Sequence, residues 1–201
     1  MYEIIQDIPV WGTPQQNAID QMARALSCGA HSAALMADHH LGYAVPVGGV
    51  IAYDGAISPS GVGFDIACGN KAVLTNLKGV DILHRMNDIM DRVFREISFG
   101  IGLNSKSHND APLFYDDAAW NIPFIGDLKD MARGQLGTVG SGNHYVDIFV
   151  DDWDRVWVGC HFGSRGLGHK IATHYIREGG GVDGINVDPV VFDEIGRASC
   201  R

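Results

Sequence analysis

No run of apolar residues in this chain approaches the roughly 20 needed to cross a bilayer as a helix. The start, Met1-Tyr2-Glu3-Ile4-Ile5-Gln6-Asp7, also lacks the basic opening and apolar centre of a secretory signal. The expected location is therefore the cytoplasm, with no membrane partner. Cys-x-x-Cys is missing too: Cys28, Cys68, Cys160 and Cys200 stand far apart, which argues against a zinc knuckle or a disulfide framework. There is no basic excess. Fifteen Lys and Arg against 24 Asp and Glu leave a net charge of -9, the opposite of the balance expected for broad nucleic-acid binding. A Gly-x-x-x-x-Gly-Lys-Ser/Thr loop is absent. Gly61-Val62-Gly63 has Ile66 where a dinucleotide loop needs its third glycine, so neither nucleotide motif is met.

What remains is a globular chain of 201 residues, 46% hydrophobic and 19% charged, long enough for a real core. Its 26 glycines follow no collagen period and point to many sharp loops. Thr13 as N-cap, Pro14 at the first helical position and Ile19, Met22, Ala23 and Leu26 at helical spacing predict a helix that Gly29 ends. A stripe of Ile82, Met86, Ile89, Met90, Val93 and Ile97 predicts one continuous helix over Asp81–Ile97. Its Arg85, Arg92 and Arg95 read better as a solvated face than as an RNA contact. Short helices are expected at Asp127–Arg133 and Gly166–Arg177. Strands are expected at Ala33–Ala37, Val50–Tyr53, Lys71–Asn76, His144–Val150 and Val156–Cys160, and Ser98–Pro123 reads as a long loop or insertion. The expected class is α/β (α+β), with residues 1–195 in a single domain. Gly196-Arg197-Ala198-Ser199-Cys200-Arg201 is expected to be a non-native or truncation tail.

Chemistry concentrates in three glycine-rich stretches. Gly61-Val62-Gly63-Phe64-Asp65-Ile66-Ala67-Cys68-Gly69 sets a carboxylate and a thiol three residues apart, in a segment too rich in glycine for regular helix. A hard oxygen and a soft sulfur turned to one point suit a divalent transition metal better than calcium or magnesium. Gly140-Ser141-Gly142-Asn143-His144 and His161-Phe162-Gly163-Ser164-Arg165-Gly166 each put a histidine beside a glycine turn. The second ends a predicted strand at a helix entrance, where N–H groups and a guanidinium are available to a phosphate. On residue type alone these stretches define a metal site on an α/β scaffold.

Together with Asp38-His39-His40-Leu41-Gly42-Tyr43 and Pro46-Val47-Gly48-Gly49-Val50, they resemble the RtcB family of RNA ligases, in order from about Gln16 to Ile176. The resemblance implies mixed β-sheets with packed helices and glycine-rich metal loops. It implies an enzyme that joins RNA 3′-phosphate or 2′,3′-cyclic phosphate ends to 5′-hydroxyl ends, using GTP and two manganese ions. By resemblance Cys68 bridges the two ions and Asp65 binds one of them. His144 and His161 are further metal ligands, and Asn143 contacts the guanine nucleotide. Asp147, where the family has glutamate, also belongs to the nucleotide site, Arg165 faces the substrate phosphate, and His40 supports the centre. Family members are longer. The histidine that carries GMP and a further metal-binding histidine are expected beyond residue 201, which leaves no catalytic nucleophile in this stretch. The residues also admit a metal- or nucleotide-binding module without ligase chemistry, or a metal-dependent phosphoesterase built on Asp65, Cys68, His144 and His161.

Overall fold

A computed structural model describes residues 1–107 and 110–193. In chain order the elements are β1 (Tyr2–Ile5), β2 (Ile8–Trp11), α1 (Gln16–Ser27), β3 (Ser32–His40), β4 (Val47–Ala52), β5 (Ala56–Ile57) and α2 (Pro59–Val62). Next come β6 (Gly69–Lys78), α3 (Gly79–Ile82), a 3-10 turn at Leu83–Arg85, α4 (Met86–Glu96), α5 (Leu113–Asp116), a 3-10 turn at Ala118–Asn121, α6 (Pro123–Gly126) and α7 (Lys129–Gln135). β7 (Tyr145–Val150), β8 (Arg155–Phe162), α8 (Arg165–Glu178) and β9 (Phe192–Asp193) complete the order. The mixed α/β class is as expected. The chain divides into two compact units, one of residues 1–64 and 170–201, the other of residues 65–169. The expected tail at 196–201 lies outside the described residues.

The first unit has a four-stranded sheet in the order β1-β2-β3-β4. β1 and β2 form a hairpin whose turn residues Gln6 and Asp7 both take positive φ, the sign that two-residue hairpin turns of type I′ require at both positions. β2 runs parallel to β3, so a crossover must connect them, and α1 supplies it. Ile8 and Val10 on alternate positions of β2, Leu35 on β3, and Ile19, Met22 and Ala25 on one face of α1 form the core. Fully burying side chains of this size contributes about 1.5–3 kcal/mol each. Gln21, on α1 and fully buried, keeps all its polar atoms satisfied: Nε2 donates to the Gly42 and Tyr43 carbonyls and Oε1 accepts from the Gly42 N–H.

Thr13 does not cap α1. The cap is Gln15, with no side-chain cap bond. Its own N–H is taken instead by Nε2 of His39, whose Nδ1 bonds the Met36 carbonyl. His39 is 1% exposed, so this unremarkable-looking histidine is a buried brace of the helix start.

The second unit is built on the antiparallel sheet β6-β8-β7, with β8 central. The expected helix over Asp81–Ile97 is interrupted: α3, a 3-10 turn and α4 share that span. Asp81 accepts the Lys78 N–H at 2.8 Å, fixing a separate helix start at Gly79. Ser98–Pro123 is not structureless either, since α5 and the second 3-10 turn lie within it. Asp117 caps that turn by accepting the Ala119 N–H. Among the described residues no helix is long and apolar enough to cross a membrane.

Candidate metal centre

The second unit's sheet explains how residues almost a hundred positions apart converge. β6 and β7 both run antiparallel to β8, so their first residues and the last residues of β8 share one end of the sheet. Cys68 immediately precedes β6, His144 immediately precedes β7, and His161 is the penultimate residue of β8. The registers Asn70↔His161 and Tyr145↔His161 fix the alignment. Asp65 is brought back to this end by the loop before β6, where Ala67 takes φ +61, a left-handed turn uncommon for a residue with a Cβ.

One donor atom each of Cys68, His144 and His161 lies within 4.8 Å of the others. Asp65 joins them: its Oδ2 is 2.7 Å from His144 Nε2 and 2.8 Å from Cys68 Sγ, and Sγ is 3.8 Å from His144 Nε2. The His144 side chain is only 7% exposed. Its Nδ1 lies 3.1 Å from the Ser141 carbonyl, an acceptor for an Nδ1–H, so Nε2 is the nitrogen turned to Asp65 and Cys68, where a proton or, in its place, a metal ion would sit between Nε2 and the carboxylate. The His144 and His161 rings stack with centroids 5.3 Å apart. Burial, then the Asp65 carboxylate as hydrogen-bond acceptor and as negative charge, push the Cys68 thiol up to about 11.

Two glycines make this packing possible. A Cβ on Gly163 would overlap Asp65 Oδ1 and sit 2.7 Å from His144 Nε2; one on Gly140 would overlap His144 Nδ1 and an Arg165 nitrogen. The donors are thus gathered around space that a side chain would fill. A thiol, two imidazoles and a carboxylate at these separations fit a divalent transition metal by donor chemistry.

Arg165 is more constrained than its sequence context implied. It has φ +56, its Nε donates to Thr138 Oγ1 at 2.9 Å, and its Nη2 donates to the Gly100 carbonyl at 2.6 Å. Of the guanidinium fork, Nη1 remains, next to Gly140. The Gly166 N–H at the start of α8 is also taken, by buried Gln135 Oε1 at 2.9 Å. Gln135 and Thr138, which sequence reasoning passed over, form the frame of this corner. Asn143 Nδ2 lies 3.4 Å from His161 Nε2. Asp147 is exposed on β7, with Oδ1 accepting the Ile148 N–H. His40 belongs to the first unit; it is exposed on β3 and its Nδ1 bonds the Asp38 carbonyl. A third missed residue is Asn70, whose Oδ1 meets His161 Nδ1 at 2.9 Å; its place two residues after Cys68, at the start of a strand, was its only sequence signal.

A thiol–imidazole–carboxylate centre at one end of a small antiparallel sheet defines a candidate metalloprotein of α/β class. The sequence profile described as "tRNA-splicing ligase RtcB" matches residues 19–123 and 124–182, and the chain belongs to the RtcB family. It is 31% identical over 210 residues to the tRNA-splicing ligase RtcB of Archaeoglobus fulgidus, covering 81% of this chain and 44% of that protein. To the RNA-splicing ligase RtcB of Escherichia coli K12 it is 33% identical over 157 residues, covering 71% of this chain and 38% of the relative. The tRNA-splicing ligase RtcB of Thermococcus kodakarensis is 31% identical over 189 residues, 71% of this chain and 39% of the relative. The chain thus spans about four-tenths of the length of the curated relatives it matches.

Proposed function

We propose that this chain carries the metal-holding part of a GTP-dependent RNA ligase that joins 3′-phosphate or 2′,3′-cyclic phosphate ends to 5′-hydroxyl ends. The observation that carries the reading is the gathering of Cys68, His144 and His161 donors within 4.8 Å of one another. Family membership supports the reaction class.

In this reading Cys68, Asp65, His144 and His161 hold manganese. Bound divalent cations supply neutralisation of phosphate charge and orientation for an in-line displacement. The rest follows from the chain's own groups. A thiol binds metal as thiolate, and the Cys68 S–H already donates to Asp65 Oδ2, so that oxygen is the first acceptor for the departing proton. His144 presents Nε2 because the Ser141 carbonyl holds its Nδ1–H. Asn143 and Asp147, both exposed, offer an amide and a carboxylate to the nucleotide. The free Nη1 arm of Arg165 gives a charge-assisted hydrogen bond to a phosphate oxygen, its other arms being spent on position. A supporting role for His40 rests on the family resemblance alone.

The test is titration of the metal-free 201-residue chain with Mn²⁺. Cys68→Ala is expected to weaken binding by more than about 100-fold, beyond what loss of an outer-sphere partner produces. Cys160→Ala, one residue from His161 along β8 and therefore on the opposite face, should change it little. Equal losses in the two variants would overturn the assignment. Incubation with labelled GTP should leave no GMP on His144 or His161, because their Nε2 lone pairs serve as ligands and not as nucleophiles. An adduct mapped to either ring would overturn that division of roles.

A further inference from the structure

The two imidazoles of the centre are oriented by different means. His144 is fixed by a main-chain carbonyl, that of Ser141, which no substitution removes. His161 is held by side chains instead. Its Nδ1 faces the side-chain oxygen of Asn70 at 2.9 Å and its Nε2 faces the amide nitrogen of Asn143 at 3.4 Å. Both bonds are consistent with one tautomer: Nδ1–H donates to Asn70 Oδ1, and Nε2 carries the lone pair. A neutral histidine in water prefers the other tautomer, with the proton on Nε2. That form offers no lone pair at Nε2 to a metal.

We propose that Asn70 is a positioning residue of the metal centre, holding His161 in the Nδ1–H tautomer and turning its Nε2 lone pair inward. The inference rests on the metal-centre reading above. The strand register builds the device. Asn70 and His161 are direct cross-strand partners on β6 and β8, so their side chains leave the same face of the sheet within reach of each other. Asn70 also stands two residues from Cys68, so the segment that delivers the thiol delivers the orienting amide. Outer partners of this kind fix ring orientation and raise ligand basicity. Asn70 is exposed and its side chain fills no core, so replacing it should leave the fold intact.

The experiment uses the whole chain as wild type, Asn70→Leu and Asn70→Asp. Long-range ¹H–¹⁵N spectra of the metal-free proteins, at a pH where the ring is neutral, report which nitrogen of His161 holds the proton; His161→Gln assigns the signals. Wild type should show Nδ1–H. Asn70→Leu should move toward Nε2–H and bind Mn²⁺ roughly 10–100-fold more weakly, with an unchanged thermal melt. Asn70→Asp, which keeps an acceptor oxygen, should restore both readouts. An Nε2–H ring in wild type, or an Nδ1–H ring that persists in Asn70→Leu, overturns the proposal. So does unchanged metal affinity in Asn70→Leu beside a wild type that binds. A wild type that binds no Mn²⁺ overturns the metal reading instead, and the tautomer spectra still decide the role of Asn70.

Discussion

The two units of this chain hold themselves together differently. In the first, a sheet and α1 enclose Ile8, Val10, Ile19, Met22, Ala25 and Leu35, each at most 1% exposed. In the second, the three-stranded sheet leaves Val73, Leu74, Phe149, Val150, Val158 and Phe162 between 38% and 49% exposed. What is well determined there is polar: the Asp65–Cys68–His144 contacts, the Gln135–Thr138–Arg165 frame and the turn between β7 and β8. At that turn Asp151 accepts from Trp157 Nε1, Arg155 Nε and the Arg155 and Trp153 N–H groups. Apolar packing is non-directional and tolerates small shifts, whereas a centre needing lone pairs at one point is fixed by directed bonds. The contrast therefore separates stability from site geometry.

Truncation should break the comparison most strongly. Met22→Ala removes a fully buried side chain from the first unit and is expected to cost about 2–5 kcal/mol. Val158→Ala, on the half-open sheet of the second unit, should stay within about 0.5 kcal/mol. Urea unfolding of the two variants checks this, and equal losses would mean that the second unit's sheet is as well packed as the first unit's core.

Gly163→Ala should sharpen it from the other side. The added Cβ would overlap Asp65 Oδ1 and press on His144 Nε2, so Mn²⁺ affinity should fall by at least about 10-fold, on the scale of a displaced ligand environment. The buried core of the first unit makes none of these contacts, and far-UV circular dichroism should be unchanged. Retained affinity would show that the donors rearrange freely around the new methyl.

Much of this contrast was legible in the sequence. The periodic stripe of Ile19, Met22, Ala23 and Leu26 located α1, and the glycine-rich spacing of Asp65, Cys68, His144 and His161 marked the residues that the sheet then gathers. Cross-strand relations were not legible. Asn70 opposite His161 and Thr138 beneath Arg165 depend on register and on a left-handed backbone at Arg165, which local pattern does not encode. The same limit hid His39: a histidine that braces a helix 24 residues away has no local signature. The unbroken apolar stripe from Ile82 to Ile97 concealed the break before Met86, because a 3-10 turn keeps the chain helical while advancing its phase.

A gentler perturbation tests the Asp151 carboxylate of the second unit's turn by pH. Burial would raise the Asp151 carboxyl, but the bonds from Trp157, Arg155 and Trp153 outweigh it and hold it well below the usual carboxylate range. Its contribution is therefore present above the unfolded value near 3.9 and is lost as pH falls through the lower folded value. Asp151→Asn should lower the melting temperature at pH 7 more than Asp152→Asn does, and the gap should narrow in acid. A gap that stayed constant down to strongly acidic pH would mean that charge on Asp151 is irrelevant to the turn.

The smallest effect belongs to Cys68 in the metal-free protein. Burial and then Asp65 raise its thiol to about 11 from 9.0, so the folded state keeps a proton that the unfolded chain sheds first. That contribution is complete below about pH 9 and disappears as pH climbs through 11, opposite in direction to the case of Asp151. The sharper readout is alkylation, since the thiolate is the reactive form. Its rate at Cys68 should keep rising up to about pH 11, while Asp65→Asn, which removes the negative charge, should shift the profile to lower pH. The shift should be incomplete, because burial, the larger cause, remains. A profile for Asp65→Asn that coincides with wild type would leave burial as the only cause and remove Asp65 from the role of first proton acceptor for the thiol.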